Sequence, residues 1–170
     1  DQIHALTLAM IDLDEDRFEK IMATNILKLG FESTMINVIY PFLSKIGVLW
    51  QTGAINPSQE HFISNLIRQK LIVAIDGQFV SNSDSQHKYL LYLPEGELHE
   101  LTLLFLCYII KARRNKVLYF GQNLPFDDLK SIHQVHKPDY ILTIITTSPP
   151  AGEVKNYVNK LSSTFPESEI

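Results

Sequence analysis

The apolar residues of this chain keep one spacing up to about Gln78 and a different one from Tyr89 onward. A single bundle or a single sheet cannot satisfy both. In the first stretch the period is helical. Arg17–Leu29 is one predicted helix, ended by Gly30. Ile36, Ile39, Tyr40, Leu43, Ile46 and Trp50 form an apolar stripe on a second, which Gly53 closes. Pro41 lies inside that stripe, so a kink or a break is expected there. The next helix start is well signalled. Asn56 is the expected N-cap, Pro57 takes the first helical position, and Gln59 completes a capping-box pattern. Phe62, Ile63, Leu66, Ile67, Leu71 and Ala74 are its core positions, and Asp76-Gly77 ends it. With a helical piece at Ile3–Ile11, the spacing predicts about four antiparallel helices packed as a bundle over residues 1–78.

Residues 79–88 are polar and read as a linker. Beyond it, short continuous apolar runs alternate with helical patterns. Tyr89–Leu93, Lys116–Phe120 (closed by Gly121) and Tyr140–Ile145 are predicted strands. Leu98–Arg113, Pro125–His136 and Gly152–Phe165 are predicted helices. Strands without polar alternation, separated by helices, imply a parallel sheet covered on both faces over residues 89–170. Right-handed crossovers then put ligands at the carboxyl ends of the strands. His99 falls in such a loop, and so does Thr146-Thr147-Ser148.

Several function classes lack support. The net charge is −4, and the one basic cluster, Lys111-Ala112-Arg113-Arg114-Asn115-Lys116, sits at a predicted helix end where cations suit the dipole. These residues by themselves are a poor surface for nucleic acid. The sequence contains no Gly-x-Gly-x-x-Gly, no phosphate loop, no Gly-x-Ser-x-Gly elbow and no paired His-x-x-x-His. The longest apolar run, near Leu101–Ile110, is too short to span a bilayer. The single cysteine, Cys107, reads as a core thiol and points to a reducing compartment, hence the cytoplasm. His133 and His136 share a helical face, read here as a solvated one, and His4 and His87 read as surface residues. Asp1 is not a Met, and the chain stops where a further strand is expected, so both ends read as cut and the sheet domain as C-terminally incomplete.

Two motifs carry chemistry. Glu97-Leu98-His99 follows the first strand, and nine residues separate Trp50 from Glu60-His61 at a helix entry. An acidic residue, a spacer and a His in that loop resemble the cobalamin-binding module, whose pattern is Asp-x-His-x-x-Gly. The resemblance implies a Rossmann-like, flavodoxin-like domain in which His99 gives an imidazole nitrogen to cobalt from below, with Glu97 holding the other ring nitrogen. It also implies a slot for the displaced nucleotide tail, lined by a counterpart of the family's Ser-x-Leu at Thr143-Ile144-Ile145, with Thr146 at the strand end. The helical half is similar to one subgroup, the MerR-type cobalamin-dependent regulators that include adenosylcobalamin photoreceptors. Their Pro-x-Leu-x-x-Ile-Gly-x-x-Trp, then Gly, then Glu-His, is matched by Pro41–Trp50, Gly53 and Glu60-His61. The resemblance spans roughly Arg17 to Phe165 and places Trp50, Glu60 and His61 on the cofactor's upper axial side.

The departures are specific. Thr102 stands where the family has Gly and crowds the tail's approach. Glu97 replaces Asp, and Gln51 stands where light-sensing relatives carry a His after the Trp. The expected function is non-catalytic: a cobalamin-binding sensor and oligomerisation region, taking adenosylcobalamin or methylcobalamin between bundle and sheet. DNA would be reached only through an N-terminal helix-turn-helix domain outside this sequence, and no membrane is involved. Two alternatives stay open, a corrinoid shuttle protein of a methyltransferase system and a degenerate module that no longer binds cobalamin.

Overall fold

A computed structural model describes residues 2–78, 86–146 and 152–170. Residues 79–85 of the predicted linker, and Thr147 and Ser148, lie outside the described residues. The chain divides into two compact units, residues 1–70 and 71–170.

The first unit is helical. α1 (Gln2–Ile11) packs against α2 (Glu15–Leu29). Asp14 caps α2 by accepting from the amide of Arg17, and Gly30 terminates it. α3 (Phe31–Thr34) leads through a π-helical turn, Met35–Ile39, into α4 (Tyr40–Gln51). The break expected at Pro41 is therefore absent. Proline lacks an N–H, and its ring collides with the carbonyl four residues back in a regular helix. Widening the preceding turn, so that the Tyr40 amide bonds to Met35 O, lets the helix run on. The predicted stripe is only partly buried. Met35, Val38, Ile39, Phe42 and Ile46 are buried, whereas Ile36 and Trp50 from the predicted stripe are each 49% exposed. α5 (Pro57–Asp76) begins at the predicted capping box. The Gln59 amide donates to Asn56 Oδ1 at 3.0 Å, and the Asn56 amide donates to Gln59 Oε1 at 3.1 Å. Of its predicted core positions, Ile63, Leu66, Ile67 and Leu71 are buried, and Phe62 and Ala74 are only partly so.

The second unit is a three-stranded parallel sheet in the order β2-β1-β3, with β1 at Lys88–Pro94, β2 at Lys116–Leu124 and β3 at Tyr140–Thr143. The connecting helices are α6 (Leu101–Ala112), α7 (Phe126–His136) and, after β3, α8 (Glu153–Thr164). Leu90 and Tyr92 face one side of the sheet and pack with Leu129, Ile141, Leu161 and Phe165. Leu91 and Leu93 face the other, with Leu103, Cys107 and Ile110. Both faces of β1 are thus apolar and covered, as the lack of alternation predicts. Beyond β3 a single parallel bridge joins Tyr140 to Glu169.

Three of the differences in element boundaries bear on the site. β2 does not stop at Gly121 but passes through it to Leu124, with two irregularities in its register against β1. β3 ends at Thr143 rather than Ile145. α6 starts at Leu101, not Leu98, because the Glu97 carboxylate takes the amides of Leu98 and His99, each at 3.0 Å, and keeps them out of the helix. The solvated-face reading of His133 also fails. Its ring lies 4.6 Å from that of Phe165 and its Nε2 bonds Ser168 Oγ at 2.9 Å, while His136 is exposed.

Candidate functional site

The order β2-β1-β3 places a topological switch point between β1 and β3, where the chain leaves one side of the central strand for the other. Ligands of open α/β sheets bind at the carboxyl ends of the strands at such a point. The loop after β1 carries Glu97 and His99, and the residues just after β3 carry Thr146.

These three side chains form one hydrogen-bonded cluster. Glu97 is 1% exposed. Its Oε1 lies 2.7 Å from His99 Nδ1 and accepts from the Thr146 hydroxyl at 3.0 Å, while its Oε2 accepts from the Thr146 amide at 2.6 Å. Thr146 Oγ1 also lies 2.8 Å from His99 Nδ1. A carboxylate can only accept, and the Thr146 proton is committed to it. The Nδ1 proton of His99 therefore points into the cluster, and in the neutral ring Nε2 is the nitrogen with the lone pair. The His99 side chain is 72% exposed, so that lone pair is available. An imidazole oriented from behind by a carboxylate, with its other nitrogen free, is the arrangement metal-ligating histidines use.

Beside the cluster is a cavity of about 270 Å³. Pro94, Glu95, Glu97, Leu124, Phe126, Ile145, Glu153, Val154, Tyr157 and Lys160 line it. Below it, the Tyr92 and Tyr157 hydroxyls meet at 2.7 Å. Burial, and then the bond to Tyr157, pushes the Tyr92 phenol well above the usual tyrosine range, and burial raises Tyr157 too. Ile145 thus lines the cavity, whereas Thr143 stands within the ladder opposite Tyr92, and it is Thr146 that bonds the His99 cluster. Thr102 is half-buried in the first turn of α6.

In the helical unit, Glu60 accepts from Ser64 Oγ at 2.7 Å and pairs with His61 Nδ1 at 3.1 Å. The His61 side chain is 74% exposed. Trp50, near the end of α4, is half exposed rather than packed in the core. No hydrogen bond joins Trp50 to Glu60 or His61 among the described residues.

The cluster also has surroundings that the sequence patterns do not reveal. Glu100 is 9% exposed and accepts from the Tyr119 hydroxyl at 2.7 Å. Asn123 and Gln122, from the end of β2, bond the backbone of Gly96 and Leu98. The only signal for these in the sequence is the triplet Gly121-Gln122-Asn123, which reads as an ordinary strand end. No group of three or more His, Cys, Asp or Glu side chains able to hold a bare metal ion occurs among the described residues, and no described helix is long and apolar enough to cross a membrane. Cys107 is buried, and burial raises its thiol.

Comparison with known proteins agrees with the resemblance read from the sequence. Residues 2–74 match the family model described as the B12 binding domain. The whole is similar to a cobalamin-binding region of MerR-type regulators. The particular relative is the HTH-type transcriptional repressor CarH of Myxococcus xanthus, 24% identical over 153 residues, covering 90% of this chain and 50% of that protein. The chain therefore spans about half the length of this curated relative. Among solved structures, a cobalamin-binding protein from Desulfitobacterium hafniense aligns at 15% identity and a TM-score of 0.45, covering 98% of this chain and 80% of that one. The methanol:cobalamin methyltransferase complex MtaBC of Methanosarcina barkeri aligns at 13% identity and a TM-score of 0.44, covering 95% and 62%.

Proposed function

We propose that this chain is the cobalamin-binding sensor region of a MerR-like transcriptional regulator and is not itself catalytic. One observation carries the reading. His99 keeps Nε2 free and exposed while Glu97 and Thr146 hold Nδ1 from behind. That donor set fits the lower axial position of a corrinoid, since the buried carboxylate fixes the tautomer and the orientation of the ring. Bound cobalamin would supply an upper alkyl–cobalt bond as the element that changes with the signal. Trp50, Glu60 and His61 of the helical unit then serve as its upper cap, and the half-exposure of Trp50 leaves its ring open to a ligand. Ile145 and its neighbours around the cavity receive the nucleotide tail.

A ligand that both units contact favours whichever arrangement of them binds it better, in proportion to the difference in affinity. The expected output is a change in self-association in the cytoplasm, passed to DNA by a helix-turn-helix domain of the full regulator. The similarity to CarH supports this step.

The test is spectroscopic. Purified protein is mixed with adenosylcobalamin in the dark, dialysed, and its visible spectrum compared with that of His99→Ala. A His-ligated spectrum in wild type that the variant lacks supports the reading, and sizing before and after illumination then tests the output. Protein that stays colourless after exposure to adenosyl-, methyl- and hydroxocobalamin overturns it in favour of a module without cofactor. Transfer of the methyl group of bound methylcobalamin to a thiol acceptor overturns the sensor role in favour of a corrinoid shuttle.

A further inference from the structure

The loop that carries His99 is held from outside by the end of β2. From Leu91 to Pro94 the central strand advances three residues, while the paired stretch of β2, Tyr119 to Leu124, advances five. β2 thus holds two extra residues where it passes the loop. The backbone absorbs them at Gly121 (φ +69°) and Asn123 (φ +57°), both left-handed. Glycine takes that conformation freely, and Asn is among the residues that tolerate it best. Bulges of this kind re-aim side chains near functional sites. Here Asn123 Oδ1 accepts the Gly96 amide at 2.9 Å, and Gln122 Nε2 donates to the Leu98 carbonyl. The two bonds fall on the residues immediately before and after Glu97.

We propose that Gln122 and Asn123 are positioning residues for His99, forming a latch from β2 onto the β1–α6 loop. The bonds among Glu97, His99 and Thr146 fix the imidazole relative to the carboxylate. They tie the loop to the end of β3, and the Glu97 amide donates to Pro94 O of β1 at 3.0 Å, whereas the latch adds the constraint from β2 on the other side of the central strand. The role of the latch in ligation rests on the reading of His99 as a cobalt ligand, whereas its effect on the loop does not.

The experiment separates the two. Asn123→Gly keeps the left-handed backbone and removes only the acceptor; Gln122→Met keeps the length and removes only the donor. In the free protein, amide exchange at Gly96 should quicken about tenfold in Asn123→Gly, the size expected for one lost hydrogen bond. In the double variant Leu98 and His99 should follow, while Leu90 and Leu91 in the interior of β1 keep their rates. With methylcobalamin bound, the double variant's visible spectrum should shift from the wild-type form toward that of His99→Ala at unchanged fold content by circular dichroism. Unchanged exchange in the double variant overturns the latch. Faster exchange with an unchanged spectrum overturns the positioning role. If wild-type protein takes up no corrinoid, the proposed function fails by itself. The imidazole nitrogen-15 shifts of His99 in the free protein then decide the matter: a double variant that keeps the wild-type Nδ1–H tautomer overturns the positioning role, and a mixture of tautomers supports it.

Discussion

Replacing Glu97 by Gln tests whether the cluster is built around a buried carboxylate. The change keeps the shape and removes one acceptor. In the protein, Oε1 faces the Leu98 amide, the His99 amide, the Thr146 hydroxyl and His99 Nδ1, and Oε2 faces the Thr146 amide at 2.6 Å. A glutamine can present its oxygen to only one of these two sets. In the better orientation its NH2 group meets the Thr146 N–H donor to donor, and a buried donor left without a partner costs about 1–3 kcal/mol. The remaining bonds also lose the strengthening that an ionised acceptor gives, since charge-assisted bonds are roughly twice as strong as neutral ones. Together these put the loss at about 2–4 kcal/mol. With a urea slope of about 2 kcal/mol per molar, the unfolding midpoint of the sheet unit falls by about 1–2 M. Trp50 belongs to the other unit and is the wrong probe. Amide signals of Leu90, Leu91 and Ile141, followed through a urea titration, report on the sheet itself. A midpoint within about 0.3 M of wild type would show that the five donors do not need a carboxylate, and the tautomer assigned to His99 would lose its basis.

Two further outcomes follow from packing and burial. Asn56→Ala removes one half of the capping box that starts α5 and should cost the helical unit about 1 kcal/mol, read as a lower urea midpoint for the amides of Ile63 and Ile67. Tyr92 and Tyr157 have phenols raised above the ordinary value of 10.0, chiefly by burial, so the folded state keeps protons that the unfolded chain releases. The stability this contributes is complete below about pH 10 and is lost above it, at about 1.4 kcal/mol per pH unit for Tyr92. Tyr92→Phe should therefore show a shallower alkaline decline in thermal melts between about pH 10 and 11.5, and an unchanged slope would count against the burial argument.

What could be read from the sequence depends on how far away each residue's partner lies. Asn56 and Gln59 satisfy each other across three positions, so their pattern in the sequence is already the structure. Glu97 and His99 are two positions apart, and the cluster's first bond is equally local. The apolar runs at Tyr89–Leu93 and Tyr140 onward need only their own composition to read as parallel strands, and they are, with β1 buried and β3 burying Ile141. Pro41 marks the limit of local reading. The proline rule correctly forbids a regular helix there, yet one widened turn satisfies the rule without ending the helix.

The contacts that were not legible around His99 share a different property. Thr146 is 47 positions from His99, Gln122 is 24 from Leu98, and Asn123 is 27 from Gly96. Each meets the loop only because three parallel strands in the order β2-β1-β3 bring their carboxyl ends together. Even with that order known, β2 reaches the loop through two inserted residues; the first shifts its phase after Tyr119 and the second restores it by Leu124, so a period-of-two reading assigns the wrong face to the residues between them. Gly121 shows the ambiguity at one position. A glycine after an apolar run marks a strand end or a bulge with equal economy, and the choice is made by Glu100, whose Oε1 lies 3.0 Å from where a Cβ on Gly121 would stand. A side chain there would have to push that carboxylate aside and would sit at a left-handed φ of +69°, so glycine lets the strand pass, and passing brings Gln122 and Asn123 to the loop that carries His99. The ligand motif is therefore local, but the device that holds it in place belongs to the topology.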